Sequence, residues 1–425
     1  MKKISAAIFA SCALCWPFSA GAADVLPRAK PEAVGMSSER LAMIRKLIEA
    51  DIARDQLPGA VLAIARRGKL VHFEAYGFLD KTAGVPMRTD AIFNIASMTK
   101  PMAAVAALQL FEQGRLLIDD PLSKYFPKFA NSQVAVLDAK KETIVERVPA
   151  ERQITIQDLF RHTSGLVYGG RGATLVHKFY PSGSTPAASR LTSAEFIDQL
   201  AAAPLLHQPG KVWDYGFGLD VLGLIVEQIT EQSLGRYLQE NVWKPLGMTD
   251  TQFVIPADKA ARYAKALPID PDTQKPQALH SFLKPSKYEC GGGCTTSTAD
   301  DYLRFALMLA NKGTYAGQRV LGFKTVDYMT ANQLGVDVVN LIGQTGDPTR
   351  ADYGFGLGVA VRTLPGVSRT MDSVGTFSWP GASGANWWVD PREELTVVWM
   401  AHTPGSKRWH YRQVINAMVY AALVD

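Results

Sequence analysis

Apolar positions along the chain recur at helical spacing, at strand spacing, or not at all, and that sorting predicts its elements. Residues 37–55 carry Leu41, Ile44, Leu47 and Ile48 at helical intervals, behind serines suited to an N-cap. Residues 60–65 and 70–76 are strand-like runs joined by Arg66-Arg67-Gly68-Lys69, a hairpin signal. An Ala- and Leu-rich stretch from 97 to 113, stopped at Gly114, predicts a second helix. Residues 131–153 read as an inserted hairpin, and 168–190 as a loop rich in Gly, Ser and Pro. Helical spacing returns at 193–203, 218–231 and 234–243. It appears again near Ser297-Thr298-Ala299-Asp300, which resembles a capping box, and runs to about 311. The pattern then changes to short strands over 353–361, 373–379, 386–389 and 395–401, and a terminal helix over 408–423 closes the chain.

Helix and hairpin first, helices in the middle, strands and a helix last: this order predicts an α+β fold. Both ends of the chain share an antiparallel sheet flanked by helices (residues 23–120 and 280–425), and 121–279 forms a mainly helical lobe. No repeat of 20–50 residues is apparent.

The first residues have a composition of their own. Lys2 and Lys3 precede an apolar stretch over 4–18, and Ala20-Gly21-Ala22 supplies small residues for cleavage. This is the layout of a signal peptide over 1–22, with an apolar run too short to span a bilayer, and it predicts a periplasmic or secreted protein. No later segment is long and apolar enough for a membrane span. Cleavage removes Cys12 and Cys15 and leaves Cys290 and Cys294, separated by three glycines. In an oxidising compartment these close a short-loop disulfide, or they are two small buried thiols; both readings stay open.

With 425 residues the chain can bury one large core or two linked ones. A net charge of +5, without a run of five Lys or Arg, argues against nucleic acid or an anionic membrane as partner. The seven histidines are scattered, with neither HExxH nor a second cysteine pair, so neither metal nor cofactor is expected.

Chemistry concentrates in a few phrases. In Ser97-Met98-Thr99-Lys100, residues three apart share a helix face, so the Lys100 amine is expected to reach the Ser97 hydroxyl. Burial favours the neutral amine that can take the serine proton, and a helix N-terminus suits a developing oxyanion. Ser281-Phe282-Leu283-Lys284 has the same spacing, but a glycine cluster rather than a helix follows it, and it is set aside. Tyr215, in Trp213-Asp214-Tyr215 before the helix at 218, is a packing residue or a proton relay. Trp379-Pro380-Gly381-Ala382 ends a strand in a tight turn, where a backbone N–H can serve as an oxyanion donor.

Together these phrases resemble the class C β-lactamases and family VIII carboxylesterases. The likeness is carried by residues 94–101, Leu159-Phe160-Arg161-His162-Thr163-Ser164-Gly165-Leu166, and Pro209-Gly210 with Trp213 and Tyr215. Gly291-Gly292-Gly293 before Ser297-Thr298, and Trp387 with Val389-Asp390-Pro391, complete it. They occur in this order from about residue 35 to the end. The resemblance implies a β-lactamase/penicillin-binding-protein-like fold. It implies an acyl-enzyme on Ser97, with Lys100 and Tyr215 sharing the base and acid roles and the N–H groups of Ser97 and Ala382 as oxyanion hole. His162 is a turn-shaping residue in this reading.

Two departures adjust the expectation. Phe217 stands where the lactamase pattern has an amide, and Trp379-Pro380-Gly381 replaces Lys-Thr-Gly, exchanging a cation for an aromatic wall. Family VIII esterases tend to a Trp-x-Gly version. Short-chain carboxylic esters are therefore the leading substrates, with Trp379, Gly381 and Phe217 expected to contact them. A β-lactamase, a D-alanyl peptidase or an acyl transferase is the alternative enzyme, and a penicillin-binding sensor without turnover the non-enzymatic one. The partner in each case is a small ester or β-lactam-like molecule; oligomeric state is not legible.

Overall fold

A computed structural model describes residues 26–425; the predicted leader over 1–22 lies outside the described residues. In chain order the principal elements are α1 (Ser38–Ala53), β1 (Gly59–Arg66), β2 (Lys69–Asp80), β3 (Val85–Pro86) and α2 (Thr99–Glu112). Then come α3 (Gly218–Thr230), α4 (Ala299–Ala310), β4 (Tyr353–Phe355), β5 (Ala360–Arg362), β6 (Phe377–Ser378), β7 (Asn386–Asp390), β8 (Leu395–Ala401) and α5 (Lys407–Tyr420). The strands form one antiparallel sheet in the order β4-β5-β6-β7-β8-β1-β2-β3. An antiparallel sheet flanked by helices is the α+β architecture expected from the order of elements.

β1 lies inside the sheet, between β8 and β2, and is buried on both faces, which is why its sequence is apolar rather than alternating up to Arg66. Ala60, Leu62 and Ile64 pack with Leu41, Ile44 and Ile48 of α1 and Tyr411, Ile415 and Val419 of α5. Val61, Ala63 and Ala65 face the larger core, with α2 and α4. The hairpin from β1 to β2 turns at Arg67 and Gly68, both with positive φ, the left-handed pair that matches strand twist in a two-residue turn.

β1 also joins the two ends of the chain. It pairs with β8, Ala60 opposite Ala401 and Arg66 opposite Leu395. Arg66, 1% exposed, donates from Nη1 to the carbonyls of Val34 (2.9 Å) and Gly35 (2.6 Å) and to the Asp425 carboxylate (3.0 Å).

Several elements differ from the pattern's forecast. The run over 353–361 is a hairpin, β4 and β5, because the chain turns at Gly358 (φ +87), where a Cβ would come within 2.7 Å of Ala104 in α2. The stretch over 168–190 contains a helix, Ser184–Arg190, that buries Ala187 and Ala188. The strand over 373–379 contracts to β6 because Gly375 turns the chain with φ +93. Helix α4 starts one residue late: Ser297 pairs with Phe93 in a short bridge, so Thr298 becomes the N-cap and accepts from the Asp301 N–H at 3.2 Å. Among the described residues no helix is long and apolar enough to cross a membrane.

Replacing Arg66 with Met leaves the buried Val34 carbonyl without a partner, removes one of the two donors to the Gly35 carbonyl, and should lower the unfolding free energy by about 2 kcal/mol. Urea unfolding of the two proteins checks this; equal midpoints and slopes would show that the clasp adds nothing.

Candidate active site

Ser97 lies in a 3-10 turn, Ala96–Met98, immediately before α2. The preceding Ala96 has φ +44, a region costly for a residue with a Cβ. The neighbours hold it there. Asn94 Oδ1 accepts from the Ala96 N–H at 2.9 Å, and the Ala96 carbonyl accepts from Thr99 Oγ1 at 2.7 Å. Asn94 is itself fixed, because its N–H donates to Nε2 of buried His402 at 2.9 Å. The other ring nitrogen of His402 faces the Ala264 carbonyl at 3.0 Å, which makes Nδ1 the protonated one. Burial carries the His402 imidazole down to about 4.

The Tyr215 hydroxyl donates to Ser97 Oγ at 2.8 Å, and Trp379 Nε1 donates to Tyr215 Oη at 3.1 Å. Two cations lie near the Tyr215 ring, Lys100 Nζ at 4.7 Å from its centroid and the Arg171 guanidinium at 4.9 Å. Such neighbours stabilise negative charge on the phenol oxygen.

Lys100 is placed differently from the expectation. Its ammonium is fully buried and donates to Tyr168 Oη at 3.0 Å and to the Gly292 carbonyl; Ser97 Oγ is not among its hydrogen-bond partners. Tyr215 occupies the position beside Oγ, and a buried ammonium settles where acceptors satisfy it.

Those acceptors belong to a network that the phrases did not reveal. Asp220, fully buried near the start of α3, accepts from Ser184 Oγ (2.9 Å), Tyr168 Oη (3.2 Å) and the Gly292 N–H (3.1 Å). Burial raises its carboxyl above the usual range, and the Lys100 charge works against that rise. Burial, then the charges of Asp220 and Tyr215, push the Tyr168 phenol well up, which keeps it neutral. Gly292 belongs to the loop closed by a Cys290–Cys294 disulfide, with Cα atoms 5.3 Å apart. A Cβ on Gly292 would lie 2.1 Å from Asp220 Oδ2, so only glycine lets this backbone approach. The signal was present: Asp220 is the one charged residue in the apolar stretch 219–226 of this helix.

The remaining expected residues separate. Trp379, Pro380 and Ala382 line a narrow cavity of about 20 Å³ together with Ser97, Tyr215, Arg171, Gly346, Asp347, Arg408 and Arg412. Gly381 is turned toward the interior. Its carbonyl accepts from Arg412 Nη2 at 2.8 Å, and a Cβ there would meet the Ile95 carbonyl at 2.4 Å. Phe217 is fully buried, ring to ring with Tyr168 (4.4 Å) and Phe196 (5.2 Å), and does not line the cavity. His162 takes a left-handed conformation (φ +57), its Nδ1 accepts from the Gly216 N–H at 3.3 Å, and its ring packs 4.7 Å from that of Tyr215. Among the described residues no three His, Cys, Asp or Glu side chains are grouped to hold a metal ion.

Comparison with known proteins places this geometry in context. The beta-lactamase family model matches residues 44–417. An uncharacterized Mycobacterium tuberculosis protein is 38% identical over 376 residues, 85% of this chain and 89% of that one. Esterase EstB of Burkholderia gladioli is 30% identical over 403 residues, 88% and 93% of the two chains. The solved structure of EstCE1, described as a hydrolase with promiscuous acyltransferase activity, matches with a TM-score of 0.74 at 25% identity, covering 90% of this chain and 99% of its own.

His402 also makes the stability of this region depend on pH. The folded state keeps the ring neutral down to about 4, against an ordinary 6.5. Its contribution is therefore complete above pH 6.5 and is lost as pH falls toward 4, by up to about 3 kcal/mol. Unfolding free energies measured by urea titration from pH 7 to 4 should fall more steeply for the natural protein than for His402→Asn. Parallel slopes would refute the role.

Proposed function

The chain belongs to the β-lactamase family of serine hydrolases, and on that premise we propose that it is an exported esterase that cleaves carboxylic esters of short acyl chains through an acyl-enzyme on Ser97. The observation that carries this reading is the 2.8 Å contact between Tyr215 Oη and Ser97 Oγ, backed by the Trp379 N–H.

In the proposed cycle, Ser97 Oγ attacks the ester carbonyl carbon while its proton passes to the Tyr215 oxygen, which in the same step gives up its own hydroxyl proton toward the leaving alkoxide. The carbon–oxygen bond to the alcohol breaks, and the alkoxide leaves with that proton. Water then attacks the acyl-enzyme, and the acid departs with Ser97 restored. Lys100 acts through Tyr215: its charge, beside the ring, offsets negative charge that builds on that oxygen while the protons transfer. The N–H groups of Ser97 and Ala382 are assigned to the oxyanion, at a site between the lobes formed by 23–120 with 280–425 and by 121–279. The aromatic Trp379 in place of a cation favours esters over β-lactams. Export rests on the signal-like composition of residues 1–22.

A second reading, in which an alcohol rather than water resolves the acyl-enzyme, draws support from the acyltransferase activity described for EstCE1.

Purified protein should turn over 4-nitrophenyl butyrate and show one butyryl adduct on Ser97 by mass analysis. Ser97→Ala should remove at least about 10³-fold of kcat, and Tyr215→Phe about 10²- to 10⁴-fold. Retained turnover in Ser97→Ala would overturn the assignment. Butyl butyrate formed on adding butanol would establish the transfer route.

A further inference from the structure

The wall of the Ser97 cavity carries more positive charge than it balances. Arg171, Arg408 and Arg412 line it, against one carboxylate, Asp347. That carboxylate is already committed. It pairs with Arg412 Nη1 and also accepts from the Thr349 N–H (3.0 Å) and Oγ1 (2.8 Å). Arg412, 4% exposed, thereby ties α5 to the segment over 345–350, and its Nε is buried without an acceptor. A purely structural role accounts for this pair.

It does not account for the other two. Arg171 donates from Nη1 to the carbonyls of Thr345 and Gly346 at 3.0 and 2.9 Å, and Arg408 from Nη1 to the Gly405 carbonyl at 2.8 Å. Among the described residues neither pairs with a carboxylate, although each is partly withdrawn from water. The arginines repel one another. Burial and then Arg171 lower the Arg408 guanidinium below its usual value. Arg412 falls to about 10 from burial, with Arg408, Arg350 and Arg171 working against the help of Asp347. A cleft lined by one sign of charge attracts the opposite sign, and guanidinium groups match a carboxylate in shape.

We propose that this cavity selects esters that carry a free carboxylate, held by Arg408 and Arg171 beside the Ser97 nucleophile. The inference deepens the hydrolase reading and rests on it. It supplies from α5 and the loop after Tyr168 a positive wall that the Trp379-Pro380-Gly381 strand lacks.

Two matched pairs of substrates test it and report which side of the ester bears the anion. The first is 4-nitrophenyl hydrogen glutarate against 4-nitrophenyl pentanoate, and the second is 4-acetoxybenzoate against phenyl acetate, each corrected for spontaneous hydrolysis. In at least one pair the natural protein should favour the anion by about tenfold or more in kcat/KM, and added salt should shrink the ratio. Arg408→Gln should lower that ratio by about tenfold. Arg171→Gln should lower it too, with an added loss of kcat on the neutral ester because Arg171 lies on the Tyr215 ring. Ratios of one or less in both pairs would overturn the proposal while leaving the esterase reading intact. Absence of turnover on all four, with no fluorophosphonate label on Ser97, would overturn the esterase reading instead. Calorimetry of glutarate with Ser97→Ala reads the anion site without turnover: saturable binding weakened at least about fivefold by Arg408→Gln is expected, and no saturable binding would overturn the site.

Discussion

A lysine ammonium cut off from water needs its acceptors and its counter-charge inside the protein, and the centre of this molecule is organised around meeting that need for Lys100. The Gly292 carbonyl and the Tyr168 phenol accept from it, and Asp220 holds both of those through its own hydrogen bonds. Four separate pieces of chain therefore converge on one amine: the start of α2, the loop after Leu166, the first turn of α3 and the disulfide-closed glycine loop. The two tyrosines beside it are set apart by their surroundings. Tyr168 faces a carboxylate and remains a phenol; Tyr215 faces an indole N–H and two cations and touches the serine.

The same reasoning explains the local strain. A non-glycine residue with positive φ precedes Ser97, and its conformation is specified by Asn94, Thr99 and, one step further, His402 of the segment after β8. The serine is thus aimed by a strand end and a histidine from the far end of the sequence, not only by the helix it introduces. Rigidity of this kind gives a hydroxyl one orientation before any substrate arrives.

What could be read in advance follows from what is local. Ser97, Tyr215 and Trp379 stand in short phrases, and the structure joins them by hydrogen bonds. Helices α1, α2 and α3 and strands β7 and β8 were visible because their apolar spacing is sustained. The contacts of Lys100 were not, because a helical repeat tells which residues share a face but not which loop will arrive opposite. Tyr168 lay in a stretch whose Gly, Ser and Pro content spoke only of irregular backbone. Asp220 passed unremarked among the apolar residues of α3, and its partners come from loops that its own helix does not specify. The split of 353–361 into two strands hinged on how closely Gly358 approaches α2, a distance no single segment encodes.

The clasp at Arg66 bears on how the molecule is made. Its guanidinium reaches Asp425 across 359 positions of sequence, and β1 finds its neighbour β8 only when the end of the chain is at hand. Contacts of such long range are slow to form and cannot be completed while the ribosome still holds the last strand. A nascent chain therefore presents Ser97 and Lys100 long before β1 can pair with β8, so the sheet behind them closes late in folding.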